Sequence, residues 1–547
     1  MTAHLKIMGG HLVDPANGVD EVRDLWVADG RIVAPPEAPV RPERIIDARG
    51  DVVMPGGVDV HCHIAGPKIN AARRMRPEEA RKGTVDRRDG LRSGTLGGVP
   101  SSFATAYRYA GLGYTTALDA AVPPLGARQV HHEFGDTPIL DKAFLVLLGN
   151  NHYALDRIRD GEWERLRSFV AWLLGATRAF GVKVVNPGGV ERWKEGRGNV
   201  ADLDDPVEGF SVTPRQILMA IARTVDDLRL PHPMHLHGLN LGLPGNWRTT
   251  LETLKALDGH RAHLAHIQFH SYGGGRGEDV AFDSKVGPLV DEFMRQKHLT
   301  ADVGQVMFGE TTALTADGPV GQYLARLNGR KWYSHDVERE TGCGVVPITY
   351  EDKNWVHALQ WAIGLEWFLR VDDPWRIALS TDHPNGGSFL AYPELIALLM
   401  DPGHRLDTLA KLPDKVRARS GLADLPRAYS LSEVAIITRA GPARMMGLKA
   451  KGHLGVGADA DVTIYRPNAD KRLMFALPRY VFQRGRPVVE EGELREAPEG
   501  RTLHVERERD PGETESIVAW FEASASTRFS NFAVGDEEVA GRTIVDE

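Results

Sequence analysis

Cysteine is nearly absent from this chain. Only Cys62 and Cys343 occur among 547 residues. Neither stands in a C-x-x-C pair, so no disulfide framework and no iron–sulfur motif is visible. That scarcity suits a reducing cytoplasm. No apolar run approaches the roughly 18 residues that a membrane-spanning helix needs. The opening MTAHLKIMGG lacks the apolar stretch of a signal peptide. Positive charge is not in excess either: 66 Lys and Arg face 74 Asp and Glu, for a net charge of −8. Nucleic acid and an anionic membrane are therefore not expected partners. What remains is ordinary globular composition, 42% hydrophobic and 26% charged. The length accommodates a barrel with insertions and a smaller attached domain.

Short β-type runs and turns fill both ends of the chain. Near the start, Leu25 to Ala28 and Arg31 to Val33 flank Asp29-Gly30, a strong hairpin signal. Pro35, Pro36, Pro39 and Pro42 then mark a loop. Near the end, ADVTIY (460–465), 480–483 and 487–489 have the same character. Each end alone offers too few strands for a stable core. The two ends are therefore expected to share one small composite β-sandwich domain, residues 1–55 with 445–547. Between them, residues 56–444 carry apolar, β-rich runs separated by helical stretches. The runs are 52–63, 114–122, 144–150, 182–186, 234–238, 262–269, 300–308 and 377–383. Eight such runs, buried on both faces, predict an α/β fold with a (β/α)8 TIM-like barrel. Residues 66–100, rich in Arg and Gly, read as a long loop at the barrel mouth. The charged and then aromatic tail after Arg495 reads as a solvated extension, the alternative being a docking surface for another protein of a complex.

Chemistry concentrates at the ends of these runs. In VDVHCH, strand alternation turns His61 and His63 to one face and Cys62 to the other. Two imidazoles at a strand's C-terminal end suit a divalent metal. In GVKVVNP, Lys183 lies within an apolar strand, where burial favours the neutral amine. A neutral amine can take up carbon dioxide as a carbamate, whose two oxygens can bridge two metals. The plainer alternative is an ion-paired or snorkelling lysine. MHLHG supplies His237 as a ligand, with His235 one layer deeper as a hydrogen-bonded core residue. In HLAHIQFH, odd spacing puts His263 and His266 on opposite faces of a regular strand. His266 is the expected ligand, with His263 and His270 in structural or supporting roles. In LSTDHP, Asp382 ends a strand as last ligand and general base, where a capping role is the plainer reading. Two metals about 3.5–4 Å apart would polarise a carbonyl and activate water. Nitrogen and oxygen donors without thiolate suit zinc.

VVMPGGVDVHCH, the strand lysine, the later histidines and the late Asp together resemble the amidohydrolase superfamily, which includes hydantoinases and dihydropyrimidinases. GGHLVDP with ADGRIV, and GHLGVGADADVTIY, are similar to its composite β domain. FGVKVVNPGG, LHGLNLGLPGNW, AHIQFHSYGG and STDHPNGG are closer still to one family. It comprises the A subunits of formylmethanofuran dehydrogenase and of the bacterial formyltransferase/hydrolase complex. The resemblance implies a metal set of His61, His63, Lys183, His237, His266 and Asp382, with Lys183 carboxylated. It implies substrate contacts at Asn186 and Asn240. Arg73, Arg74 and Arg76 either bind an acidic cofactor tail or belong to a solvated loop. The implied reaction interconverts an N-formyl aminomethylfuran cofactor, of the formylmethanofuran or methylofuran type, with formate and free amine. The implied partners are a formyltransferase and further non-catalytic subunits of the complex. Richness in Ala, Arg and Gly favours the bacterial complex over the archaeal one, which carries tungsten or molybdenum and iron–sulfur chemistry on other subunits. A cyclic amidase and a catalytically silent scaffold are the rival readings.

Overall fold

The computed structural model describes residues 4–77, 79, 98–275, 282–330, 332–337, 340–539 and 543–544. Eight strands form one parallel sheet, each hydrogen-bonded to the next in chain order. They are β1 (Gly57–Cys62), β2 (Tyr114–Val122), β3 (Asp141–Leu147), β4 (Gly181–Val185), β5 (Met234–His237), β6 (Ala262–Leu264), β7 (Leu299–Asp302) and β8 (Ile377–Ala378). The sheet curls round until its ends meet. Cys62 bridges His383 in parallel, the His63 amide donates to the His383 carbonyl at 2.7 Å, and Ser380 Oγ donates to the His61 carbonyl at 3.0 Å. Strands that are buried at every position, such as YTTALDAAV of β2, require cover on both faces. Helices outside and packed side chains inside provide it.

The expected composite domain is a mixed sheet of nine strands from both chain ends. Leu5–Asp14 lies near its centre, and Val462–Tyr465 joins the N-terminal strands to the C-terminal ones. Leu5, Ile7, Leu25 and Val53 share one core with Val462, Ile464 and Phe482. The Asp29-Gly30 hairpin forms, with both residues at positive φ. The run 52–63 divides. Val52–Pro55 pairs with Val462–Tyr465 in the composite sheet, and β1 starts afresh at Gly57. Gly56 makes the crossing, where a Cβ would collide with Thr115. Other runs stop earlier than expected: β6 ends at Leu264 and β8 at Ala378, because the residues that follow bend into the barrel mouth.

One element went unforeseen. After β7, strands Gly309–Thr315, Tyr333–Val337 and Glu340–Tyr350 form an antiparallel sheet. The helix Gly318–Asn328 connects the first two, and together they cover the barrel mouth. The region read as a long loop opens with the helix Pro67–Met75; residues 78 and 80–97 lie outside the described residues. The tail is not a solvated extension. Helix Pro511–Ser524 packs on helix Trp163–Thr177, with Trp520 5.3 Å from Tyr153 and Phe532 5.2 Å from Trp172 between ring centroids. Its aromatic residues cover apolar barrel helices that would otherwise face water.

A buried ionic cluster joins the two domains. Lys451 Nζ lies 2.7 Å from Asp141 on β3, 3.2 Å from Asp459 and 2.8 Å from Asp461. Arg501 also pairs with Asp141 and Asp459. Burial works against the Lys451 charge, but the three carboxylates outweigh it and raise its pKa. Lys451→Met would leave three buried carboxylates with only the guanidiniums of Arg501 and the half-exposed Arg31, which pairs with Asp459 at 2.9 Å. Uncompensated buried charge of this kind costs about 3–5 kcal/mol. The thermal unfolding midpoint is expected to fall by several degrees, and an unchanged midpoint would show that the cluster does not hold the domains together.

Candidate metal centre

Six side chains foreseen as ligands converge on the C-terminal end of the barrel and line one cavity. His61 and His63 leave β1 on the same side, their ring centroids 5.5 Å apart. Asp382 faces both, its Oδ1 3.1 Å from Nε2 of each. Asp382 reaches this position through a left-handed backbone, φ 51°, with its amide donating to Ser380 Oγ at 2.8 Å. His266 also has positive φ, 35°. Strain of this kind at non-glycine residues is tolerated where surrounding contacts enforce it. At His266 the enforcing contact is Gly304, where a Cβ would stand 2.8 Å from His266 Cα.

The bend at His266 corrects the expected alternation. β6 has ended two residues earlier, so His263 and His266 both reach the barrel interior. His263 Nε2 lies 3.2 Å from Asp302 Oδ2, while the His266 ring centroid lies 5.2 Å from that of His61 and 4.7 Å, edge to face, from that of His237. His235 lies a layer below, as expected, 3.2 Å from His61 Nδ1. His270 is buried beside His237 and His266, with centroids 5.7 and 5.5 Å away.

Lys183 projects from β4 into the same cavity and is buried. Burial lowers its pKa to about 8, against a weaker upward pull from Asp382 and Asp302. Neither its Nζ nor His266 Nδ1 has a hydrogen-bond partner among the described residues. Burial would raise the Asp382 pKa, but His61 and His266 outweigh it and hold the carboxyl well below the usual range. Orphaned buried nitrogens beside an anionic carboxylate fit a divalent cation. Ligand atoms of His61, His266 and Asp382 lie close enough together to share one ion.

Carboxylates that the sequence reading missed stand behind the imidazoles. Asp302 Oδ2 lies 2.8 Å from His61 Nδ1, and its Oδ1 accepts the His266 amide at 3.0 Å. Asp317, in the cover, lies 3.1 Å from His237 Nε2. Asp119 on β2 takes Lys68 Nζ at 2.5 Å, and that Nζ lies 3.1 Å from His63 Nδ1. An acid inside an apolar strand, as in ALDAAV and LTADV, was the available signal. Asn385 was missed too. Its Nδ2 donates to Asp382 Oδ1 at 2.8 Å and its Oδ1 accepts the Leu314 amide at 2.5 Å, tying the cover to the Asp382 loop.

The cavity measures about 480 Å³. Above the polar floor its walls mix apolar side chains, among them Leu241, Phe269, Leu314, Ile348 and Trp355, with polar ones such as Arg330, Glu351, Asn354 and Gln360. Asn186 and Asn240 are not among its lining residues. Asn186 Nδ2 donates to Asn199 and Asp317 at 3.0 Å each, and Asn240 Nδ2 donates to the Ala201 carbonyl at 2.9 Å. Both have positive φ and serve to hold the loops after β4 and β5. Arg76 is buried and donates to the Thr311 carbonyl at 2.5 Å, so it anchors the cover. Arg73 binds the Pro100 carbonyl and Asn70, and Arg74 is exposed.

Residues 44–489 match the model of an amidohydrolase family. The chain belongs to the amidohydrolase family. Within it, the protein falls with FwdA and its Fhc counterpart. Protein FwdA of Methanocaldococcus jannaschii is 43% identical over 97% of this chain and 96% of its own length. The A subunit of the formyltransferase/hydrolase complex Fhc of Methylorubrum extorquens is 40% identical over the same shares. A crystal structure of that organism's FhcABCD complex with methylofuran superposes with a TM-score of 0.93 at 38% identity, covering 99% of this chain and 100% of the other. This amidohydrolase is thus a metal-dependent enzyme by family, with a candidate binuclear centre in its buried His and Asp clusters. No helix among the described residues is long and apolar enough to cross a membrane.

Gly304→Ala tests how tightly the centre is built. An added Cβ collides with His266 and sits in an unfavourable left-handed conformation. Metal analysis is expected to show loss of at least one ion per chain, whereas Gly111→Ala, with open space around it, keeps full occupancy. Equal occupancy in the two variants would show that His266 can move without loss of metal.

Proposed function

We propose that this amidohydrolase is the hydrolytic component of a bacterial formyltransferase/hydrolase complex. It interconverts an N-formyl aminomethylfuran cofactor with formate and the free amine. The observation that carries this reading is the near-complete superposition on one chain of the FhcABCD complex, crystallised with methylofuran. All six side chains of the expected ligand set line this chain's cavity. The apolar wall residues suit a flat aromatic amide, and the polar floor suits its reacting end. FwdA is as similar in sequence, so an archaeal-type partner set is the second reading; both readings share the same hydrolytic step. A cyclic amidase would instead open hydantoin, which the same preparation can be offered.

His61, His63, His237, His266, Asp382 and a carboxylated Lys183 would hold two divalent ions, with zinc the best match to nitrogen and oxygen donors. Such ions act as Lewis acids and lower the pKa of water. The chain's own contribution is proton handling and alignment. Asp382, fixed as an anion by its imidazole neighbours and oriented by Asn385, takes a proton from the attacking water. It then delivers that proton to the amide nitrogen as the C–N bond breaks, so that formate and amine are released. The apolar wall residues exclude bulk water and align the formamide with Asp382.

Formate release from a formylated aminomethylfuran, measured on the protein purified with its natural partners, tests the substrate. Asp382→Asn is expected to slow release by roughly 10²–10⁴-fold, the usual loss for a general acid/base. Full activity in that variant would remove Asp382 from the reaction. No release by the metal-loaded wild type would overturn the substrate class. Lys183→Ala is expected to lower metal content from two ions per chain to one or none, and full occupancy would rule out the carboxylated lysine.

A further inference from the structure

Beneath His61 the barrel interior holds three more buried histidines, at positions 232, 235 and 263. Their hydrogen bonds can be assigned a direction one after another. His232 Nδ1 lies 2.8 Å from the carbonyl of Met445, the last residue of helix Gly441–Met445. A carbonyl can only accept, so His232 carries its proton on Nδ1. Burial lowers the His232 pKa to about 3; the ring is neutral, and its Nε2 holds a lone pair. His235 Nδ1 lies 2.9 Å from that lone pair and must donate to it. With its proton on Nδ1, the His235 imidazole presents an Nε2 lone pair 3.2 Å from His61 Nδ1. Asp302 Oδ2, also an acceptor, lies 2.8 Å from the same nitrogen. Two acceptors thus converge on His61 Nδ1, which takes the proton. His61 Nε2 keeps its lone pair and lies 3.1 Å from Asp382 Oδ1; two acceptors that face each other in this way leave the place of a cation between them. His263 completes the set. Its Nε2 faces Asp302 Oδ2 at 3.2 Å, and its Nδ1 lies 2.9 Å from Thr300 Oγ1.

We propose that His232 and His235 are positioning residues: a relay of tautomers, seeded at the Met445 carbonyl, fixes the proton of His61 on Nδ1 and reserves Nε2 for a metal ion. Asp302 does not accomplish this alone. Were His235 protonated on Nε2 instead, that N–H would point at His61 Nδ1. The best arrangement would then move the His61 proton to Nε2, where it competes with the metal. The Met445 carbonyl removes that alternative from two rings away. The proposal rests on the chain's binding metal as its family does, and it is independent of the substrate assigned above.

The test measures metal rather than turnover. The full chain with its partners is loaded with Zn²⁺, dialysed against graded chelator and assayed by atomic emission. A Co²⁺-loaded sample reports ligand geometry through its visible absorption bands. His235→Leu and His232→Phe are expected to weaken metal retention by roughly 10–100-fold, the usual cost of losing a partner behind a ligand, and to alter the Co²⁺ bands. His235→Gln, whose amide oxygen can accept from His61, is expected to stay within a few-fold of wild type. Thermal unfolding of the metal-free chains checks the fold. Should His235→Leu fail to fold, His232→Phe carries the same test, because it preserves volume and lies far from any ion. Wild-type retention in both His232→Phe and His235→Leu would overturn the relay, as would equal loss in His235→Gln and His235→Leu, which would reduce His235 to packing. A third ion per wild-type chain, lost in His235→Leu, would overturn it differently, by making His61, His235 and Asp302 a metal site of their own.

Discussion

One buried carboxylate holds the upper barrel in register. Asp302, on β7, accepts from the ring of His61 on β1, the ring of His263 on β6 and the backbone of His266 beyond β6. Burial would raise its pKa, but His61 and His263 outweigh that and keep it anionic. A carboxylate without such donors would be strongly destabilising in this position. The requirement is mutual: the imidazoles are oriented by the anion they stabilise. His61 therefore stands between two acids, Asp302 behind and Asp382 in front. A positive charge is favoured at this point, which is the electrostatic condition for a cation site.

The rest of the architecture can be understood as support for that arrangement. The cover formed after β7 contributes Asp317 to His237 and receives Arg76 and Asn385. It therefore shapes the cavity and helps to orient its polar floor. The composite sheet lies at the other side of the barrel connections, joined through Gly56 and through Lys451 with its three carboxylates. The tail covers the outer helices with Trp520, Phe529 and Phe532. Each of these elements comes from a separate stretch of chain, and each restricts the freedom of strands whose ends must meet within fractions of an ångström.

Much of the fold was legible because its signals are local. The Asp29-Gly30 turn, the eight apolar runs and the strand-like segments at both ends follow from turn chemistry and burial, which act over a few residues. The HxH of β1 was legible for the same reason, since alternation alone sends His61 and His63 one way. Alternation failed at His266 because the strand had already ended and the backbone turned left-handed against Gly304, a residue 38 positions later in the numbering. Asn186 and Asn240 stood beside recognisable motifs and drew functional readings, yet their amides are used to hold loops. Nothing local distinguishes an amide that faces a ligand from one that faces a neighbouring loop.

Consecutive residues therefore settle which side-chain types stand at the ends of the barrel strands, and that both termini share one sheet. Periodicity and turn propensity are written at that range. Three outcomes are settled only when the barrel closes: which carboxylate stands behind which imidazole, which nitrogen of His61 carries the proton, and that a separate sheet covers the mouth. They depend on distances between β1, β5, β6 and β7, and on a carbonyl at Met445 far along the chain from His61. No span of neighbouring residues encodes such contacts separately, because each partner acquires its place from the fold as a whole.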